Sequence, residues 1–291
     1  MSVNRILAKV VLLVAIAGGV LSCSKKSEEP STGAKRTVTV KGSDTMVQLV
    51  STWAEAFMKA HPEVEVSVTG GGSGTGIAAL LNGTTDLCAA SREMAGQEKK
   101  ALVDKGGKPV ETVVARDGIA VVVNPQNPIN ALTLEQLKKI FTGAYTNWSQ
   151  AGGPNENVIV LSRESSSGTY VFFQEHVLNK ADYTNQARLM PATSAIVQAV
   201  ASDKAAIGYV GLGYAAEAKG KVKVLAVKKD SASPAVAPSD ETVKAATYPI
   251  ARALYFYTNG DPSGPAKEFA EFCLSGAGQK IVQEIGFVTV K

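Results

Sequence analysis

The chain has 291 residues, with 30 Lys or Arg against 26 Asp or Glu, for a formal charge of +4. That length suits one large or two ordinary domains, and an apolar share of 45% supplies a core and excludes global disorder. The basic excess is too small and scattered for a nucleic-acid surface, the two His and three Cys lack metal-ligand spacing, and 6% aromatics disfavour a sugar- or base-stacking site.

Residues 1–22 read as an export signal. Arg5 and Lys9 supply the positive region, and 10–20 is an apolar stretch too short to span a bilayer. Val20-Leu21-Ser22-Cys23 resembles a bacterial lipoprotein box, although Leu21 is less typical there than a small residue. On that reading Cys23 becomes the acylated first residue and anchors the protein to a membrane, each buried CH₂ contributing about 0.8 kcal/mol. An ordinary cleaved signal with an incidental Cys is the alternative. Residues 23–36 are polar, charged and interrupted by Pro30 and Gly33, as expected of a flexible tether.

Strand-like and helix-like segments then alternate. Residues 37–40 are β-branched, and 46–60 carry a helical apolar period through Val47, Val50, Trp53, Ala54 and Phe57 before Pro62. Residues 64–68 alternate as a strand, 70–76 form a glycine-rich loop, 77–81 begin a helix, and 87–90 are short and apolar. A long β-branched run occupies 113–123. The second half repeats the theme: a helix over 134–141 with Thr133 as N-cap, a strand at 158–161, a helix over 170–178, strands at 206–210 and 222–227, a Pro/Ser/Ala-rich surface loop at 230–240, a strand at 253–257, and helices over 265–274 and 279–285. The succession predicts an α/β protein with parallel sheets and helices on both faces. Cys88 and Cys273 fall in apolar runs and read as buried free thiols, in a compartment that would also permit a disulfide.

Four loops, each after a short strand, could carry chemistry. Gly42-Ser43-Asp44-Thr45 offers two hydroxyls and a carboxylate at a helix start, though these are also the usual N-cap residues. Residues 70–76 (GGGSGTG), with Ser73 at the centre, let backbone N–H groups converge on an anion; no Lys follows to make a P-loop, and a merely flexible turn has the same composition. Ser91-Arg92 offers a hydroxyl and a guanidinium fork, or a surface Arg paired with Glu93. Residues 161–169 (LSRESSSGT) place Arg163, Ser167, Gly168 and Thr169 in one strand-to-helix turn that favours an oxyanion. A nucleophilic Ser there lacks both the GxSxG elbow and an activating His. Hydroxyls, N–H donors and Arg, without a general base, a metal set or a cofactor motif, describe an oxyanion receptor rather than an enzyme.

The motifs GSDT (42–45), GGGSGTGI (70–77), DLCAASREM (86–94), LTLEQLKKIFTGAYTNW (132–148), RESSSGT (163–169) and IGYVGLGY (207–214) together resemble the phosphate-binding proteins of bacterial phosphate ABC transporters, over about residues 36–291. The resemblance implies a type 2 periplasmic-binding-protein fold: two α/β lobes joined by two hinge strands. The crossings fall near 115–122 and 248–255, giving lobe one as 37–117 plus 250–291 and lobe two as 118–249. It also implies a monomer that binds inorganic phosphate, is held to the cell exterior or periplasm by a lipid anchor and serves a membrane permease. Arg163, Ser167, Gly168 and Thr169 match the family's lobe-two clamp. Ser73 matches the glycine-loop Ser, and Ser43, Asp44 and Thr45 occupy the first anion loop. Ser91-Arg92 belongs to a Ser-Arg branch, where other members have Ser-Asp and that Asp accepts the proton of bound phosphate. Asp44 is then the candidate replacement acceptor, and Arg92 is expected to add a fork to the anion. A receptor for sulfate or molybdate, a secreted phosphatase or Ser hydrolase, and a phosphate-sensing lipoprotein remain as alternatives.

Overall fold

A computed structural model describes residues 35–290. The export signal, Cys23 and most of the expected tether lie outside the described residues. Arg36, the last residue of the expected tether, is instead the first residue of strand β1 (Arg36–Gly42), and its guanidinium pairs with Glu63 and Glu268.

In lobe one, β1 leads through a 3-10 turn (Asp44–Met46) into α1 (Val47–Ala60), followed by β2 (Val64–Thr69), α2 (Ser73–Leu81), β3 (Leu87–Ala90) and α3 (Gly96–Asp104). The 15-residue strand β4 (Pro109–Val123) then leaves it. Lobe two comprises β5 (Ala131–Thr133), α4 (Leu134–Phe141), β6 (Ile159–Arg163), α5 (Gly168–His176), β7 (Arg188–Met190), α6 (Thr193–Ser202), β8 (Ala206–Gly211), α7 (Leu212–Glu217), β9 (Lys223–Lys228) and α8 (Asp240–Lys244). Strand β10 (Ala251–Asn259) returns to lobe one, which closes with α9 (Gly264–Leu274) and α10 (Gly276–Glu284).

The main strand path is β2-β1-β3-β10-β4-β8-β6-β7, with β9 and β5 attached beside β4. Up to Gly118, β4 pairs with β10; from Ile119 onward it pairs with β8 and β9. The Gly118–Ile119 step is therefore where the chain passes from one lobe's sheet to the other's, and the Ile119 N–H donates to Ile250 O beside the returning strand. The sheets are mixed rather than parallel as expected. β1, β2 and β3 run parallel, but β10 is antiparallel to β3 and β4, and β4 is antiparallel to β8. Two strands that carry the chain out and back as neighbours must oppose each other.

Each lobe has its own apolar core. In lobe one, α1 turns Leu49, Val50, Trp53, Ala54 and Phe57 inward, at helical spacing, against Phe256 and Phe269. The Trp53 indole N–H is satisfied by Gly278 O at 2.8 Å. In lobe two, Phe141, Trp148, Phe173 and Tyr209 pack together, and Trp148 donates to Ala205 O. Helix α4 starts as expected: Thr133 Oγ1 accepts from the Gln136 N–H while the Gln136 side chain returns to the Thr133 N–H. Cys88 and Cys273 are free and buried. No helix among the described residues is long and apolar enough to cross a membrane.

Candidate functional site

In lobe one the ends of β1 and β3 and the start of α2 approach closely. Gly42 has φ +143°, and a Cβ there would lie 2.0 Å from Ala89 O, so no other residue fits between the strands. This closeness brings three serines together. Ser43 Oγ donates to Ser91 Oγ at 2.8 Å, and the Ser91 N–H donates to Ser73 Oγ at 3.0 Å. Ser73 is the first residue of α2, whose helix begins inside the glycine-rich segment rather than after it.

In lobe two the turn after β6 supplies the opposing face. Ser167 is the N-cap of α5, and its Oγ accepts from the Thr169 N–H at 3.2 Å. Arg163 is held from several sides: Nε donates to Met190 O, Nη1 to Thr193 Oγ1, and Nη2 to Pro191 O and to Asp44 Oδ2, the last at 2.6 Å. Behind it, Ser162 and Tyr183 bond the buried Tyr209 hydroxyl; burial pushes the Tyr209 phenol up, so it stays a neutral hydrogen-bonding group.

The two faces meet. Thr45 Oγ1 and Thr169 Oγ1 are 2.8 Å apart, the Gly74 N–H donates to Ser166 O, and Tyr214 donates to Asp44 O. A Cβ on Gly168 would lie 2.3 Å from Ser73 Oγ. Ser43, Thr45, Ser73, Ser91, Ser167 and Thr169 are all at most 2% exposed. The starts of α2 and α5 and of the turn before α1 thus converge on one place, where first-turn N–H groups without intrahelical partners and positive dipole ends favour negative charge.

Three placements differ from the sequence reading or extend it. Arg92 is not turned to the hydroxyl cluster: its fork closes on the Glu98 carboxylate with two bonds of 2.8 Å and also donates to Glu93 O. Burial alone would lower the Arg92 guanidinium, but Glu98 outweighs it and holds it above its ordinary value. Burial alone would raise Glu98, but Arg92 and the Ala95 N–H together hold that carboxyl below its ordinary value. Arg92 therefore braces α3, its charge already matched. Asp44 is in the cluster, but both its oxygens carry donors, Oδ1 from the Gly71 N–H and Oδ2 from Arg163. Finally, Asp117 and Arg252 escaped the sequence reading. They face each other across β4 and β10 as a buried ion pair with Nη2 at 2.9 Å from Oδ2, and Arg252 also reaches Ser91 O and Thr169 Oγ1. Burial pushes the Asp117 carboxyl up and the Arg252 guanidinium down, each opposed by the other's charge. The available signal was an Arg-Asp pair (116–117) ahead of a long apolar run and a single Arg in an otherwise uncharged strand.

Arg163 and Arg252 are each matched by one carboxylate. An anion here would be held mainly by hydroxyls, N–H groups and helix starts. No cluster of three or more metal-ligating side chains occurs among the described residues.

A model of the PBP superfamily domain matches residues 27–277. The chain is 31% identical to the phosphate-binding protein PstS of Pseudomonas aeruginosa, covering 89% of this chain and 85% of that one. It is 33% identical to PstS of Bacillus subtilis, covering 99% and 93%. This chain belongs to the PstS family. The family is one of transport receptors and not of enzymes. Among solved structures, a protein described as a phosphate ABC transporter substrate-binding protein from Clostridium perfringens, with phosphate bound, matches with a TM-score of 0.80 and 31% identity over 88% of this chain and all of the other. An ABC-type phosphate transport receptor from Vibrio cholerae matches with a TM-score of 0.71 and 29% identity over 87% and 99%. The two-lobe fold implied by the motifs is the fold of these proteins.

Proposed function

We propose that this chain captures inorganic phosphate between its lobes and delivers it to the permease of a phosphate ABC transporter. One observation carries the reading: six buried hydroxyls from both lobes gather at converging helix starts, where Arg163 of lobe two also meets Asp44 of lobe one. A tetrahedral oxyanion presents acceptor oxygens in every direction, and only a cluster of donors from both sides can satisfy them. Ser43, Asp44, Thr45 and Ser73 contribute from lobe one, Arg163, Ser167, Gly168 and Thr169 from lobe two. Ser91 positions Ser43 and Ser73. Because the donors are split, the anion makes its full set of bonds only when the lobes are together, which favours the closed state by differential contact.

Lobe one is assigned to 36–118 and 250–290, slightly wider than the motifs implied because β1 starts at Arg36 and Gly118 still pairs with β10, and lobe two to 119–249. Residues 1–22 act as a lipoprotein signal, and Cys23 carries the acyl anchor that keeps the receptor outside the cytoplasmic membrane beside its permease. The receptor acts as a monomer. Isothermal titration with phosphate, sulfate and molybdate tests the ligand: tight phosphate binding is expected, and tight sulfate or molybdate binding without phosphate binding overturns it. Acyl-chain labelling of the wild type and of Cys23→Ser tests the anchor, with equal labelling refuting it.

A further inference from the structure

We propose that Arg252 is a positioning residue that fixes the direction of the Thr169 hydroxyl proton and ties anion capture to the hinge. The inference rests on the phosphate-receptor reading above. Arg252 stands on β10 directly opposite Asp117 of β4, one residue before the step at which β4 passes between lobes. Its Nε and Nη2 both donate to Asp117 Oδ2, at 3.2 and 2.9 Å, while Asp117 Oδ1 accepts from the Leu212 N–H at the start of α7. The pair is thereby locked in orientation, with Asp117 fully buried and Arg252 7% exposed.

The rest of the fork points at the site. Nη1 donates to Ser91 O in lobe one at 2.7 Å, and Nη2 donates to Thr169 Oγ1 in lobe two at 3.0 Å. A guanidinium has donors only. Thr169 Oγ1 must therefore accept from Arg252, and its single proton is left to point away, toward Thr45 Oγ1 or an anion. Without Arg252 the hydroxyl could turn and offer a lone pair to the anion instead, which repels it. The same geometry makes Arg252 sensitive to closure. Its partners outside the hinge lie in different lobes, so a rotation about the crossing breaks at least one of two charge-assisted bonds. A pair that merely stapled β4 to β10 would need neither Ser91 nor Thr169.

Isothermal titration of phosphate into the full chain tests this with the wild type, Arg252→Lys, Thr169→Val and the double variant. Lysine keeps the charge but cannot hold Asp117, Ser91 and Thr169 at once. Each single variant should raise Kd at least tenfold, and the double should bind within about threefold of the weaker single, because both remove the same oriented donor. Arg252→Lys binding within twofold of the wild type, or single effects that multiply in the double, would overturn the inference. If Arg252→Lys does not fold, the charge-free pair Arg252→Met with Asp117→Leu replaces it in the same cycle, judged by the same outcomes. A wild type that binds no phosphate overturns the receptor reading and this inference with it; phosphate binding with multiplying effects overturns the inference alone.

Discussion

Replacing Arg163 by Ala should cripple anion capture and also lower the stability of lobe two. Arg163 has five N–H protons, and four bond Met190 O, Thr193 Oγ1, Pro191 O and Asp44 Oδ2. The fifth, on Nη1, is the one that would serve the proposed anion. The Asp44 bond runs between lobes, with the guanidinium side chain 3% and the carboxylate 16% exposed. When the lobes part, Asp44 returns to water, while Arg163 keeps its bonds to Met190 O, Thr193 Oγ1 and Pro191 O within lobe two. Loss of the Asp44 bond therefore falls on the closed, ligand-bound state, and loss of the other three falls on the stability of lobe two. Removing one partner of a buried pair costs about 3–5 kcal/mol. Asp44 would then face the bound anion uncompensated, and that penalty corresponds to roughly a 150- to 5000-fold rise in Kd. Titration calorimetry with a melting curve as control reads both quantities. Arg163→Lys should recover part of the affinity, since it restores charge but not the fork. A Kd for Arg163→Ala within tenfold of the wild type, in a folded protein, would refute the placement.

Gly168→Ala inserts a Cβ 2.3 Å from Ser73 Oγ and 2.8 Å from Ser91 Oγ, so phosphate affinity should drop about 10- to 150-fold with no loss of melting temperature in phosphate-free buffer; unchanged affinity would show that the lobes do not meet there. Asp44→Asn should lower the phosphate-to-sulfate ratio more than total anion binding, because an amide NH₂ no longer penalises an anion that has no proton to give; an unchanged ratio removes Asp44 as the discriminator. The Glu98 carboxyl is held low by Arg92 and the Ala95 N–H, so its contribution is fully present above the ordinary Glu value of about 4.3 and is lost as pH falls through the lower folded value. Glu98→Gln should therefore be less stable than the wild type by about 1 kcal/mol at pH 7, with the gap closing in acid, as urea melts across pH would show; a gap that persists at pH 2 contradicts the pairing. Burial pushes the Cys88 thiol up to about 12 and Cys273 well above its ordinary value, so alkylation at pH 8 followed by peptide mapping should leave both unmodified until the protein unfolds.

Local signals in the sequence mapped onto the structure where one interaction dominates. Thr133 and Gln136 cap α4, and Leu137, Ile140 and Phe141 form its buried stripe, so that helix is found where its cap and period place it. The start of α2 was hidden because Gly70–Gly76 reads as a loop. Its glycines serve contact instead: a Cβ on Gly76 would lie 2.5 Å from Lys41 O, so the helix can only lie against β1 without side chains. The hydroxyl-rich loops were legible because hydroxyls and glycines after short strands have a specific chemistry, and the structure brings Ser43, Thr45, Ser73, Ser91, Ser167 and Thr169 together. Arg92 turns away from the cluster because its partner Glu98 lies six residues on, in α3, a helix with only one buried residue and so little apolar period to mark it. Asp117 and Arg252 carry no local motif at all. Their meaning appears only when β4 and β10 pair in register and bring them face to face.

The hydroxyl cluster between the lobes is proposed to hold phosphate and exclude sulfate. The most direct test is calorimetric titration of one preparation with each anion at the same pH and ionic strength. Phosphate should saturate one site per chain, and sulfate at equal concentration should give no binding heat. Sulfate binding as tight as phosphate, or no phosphate binding by folded protein, would contradict the account.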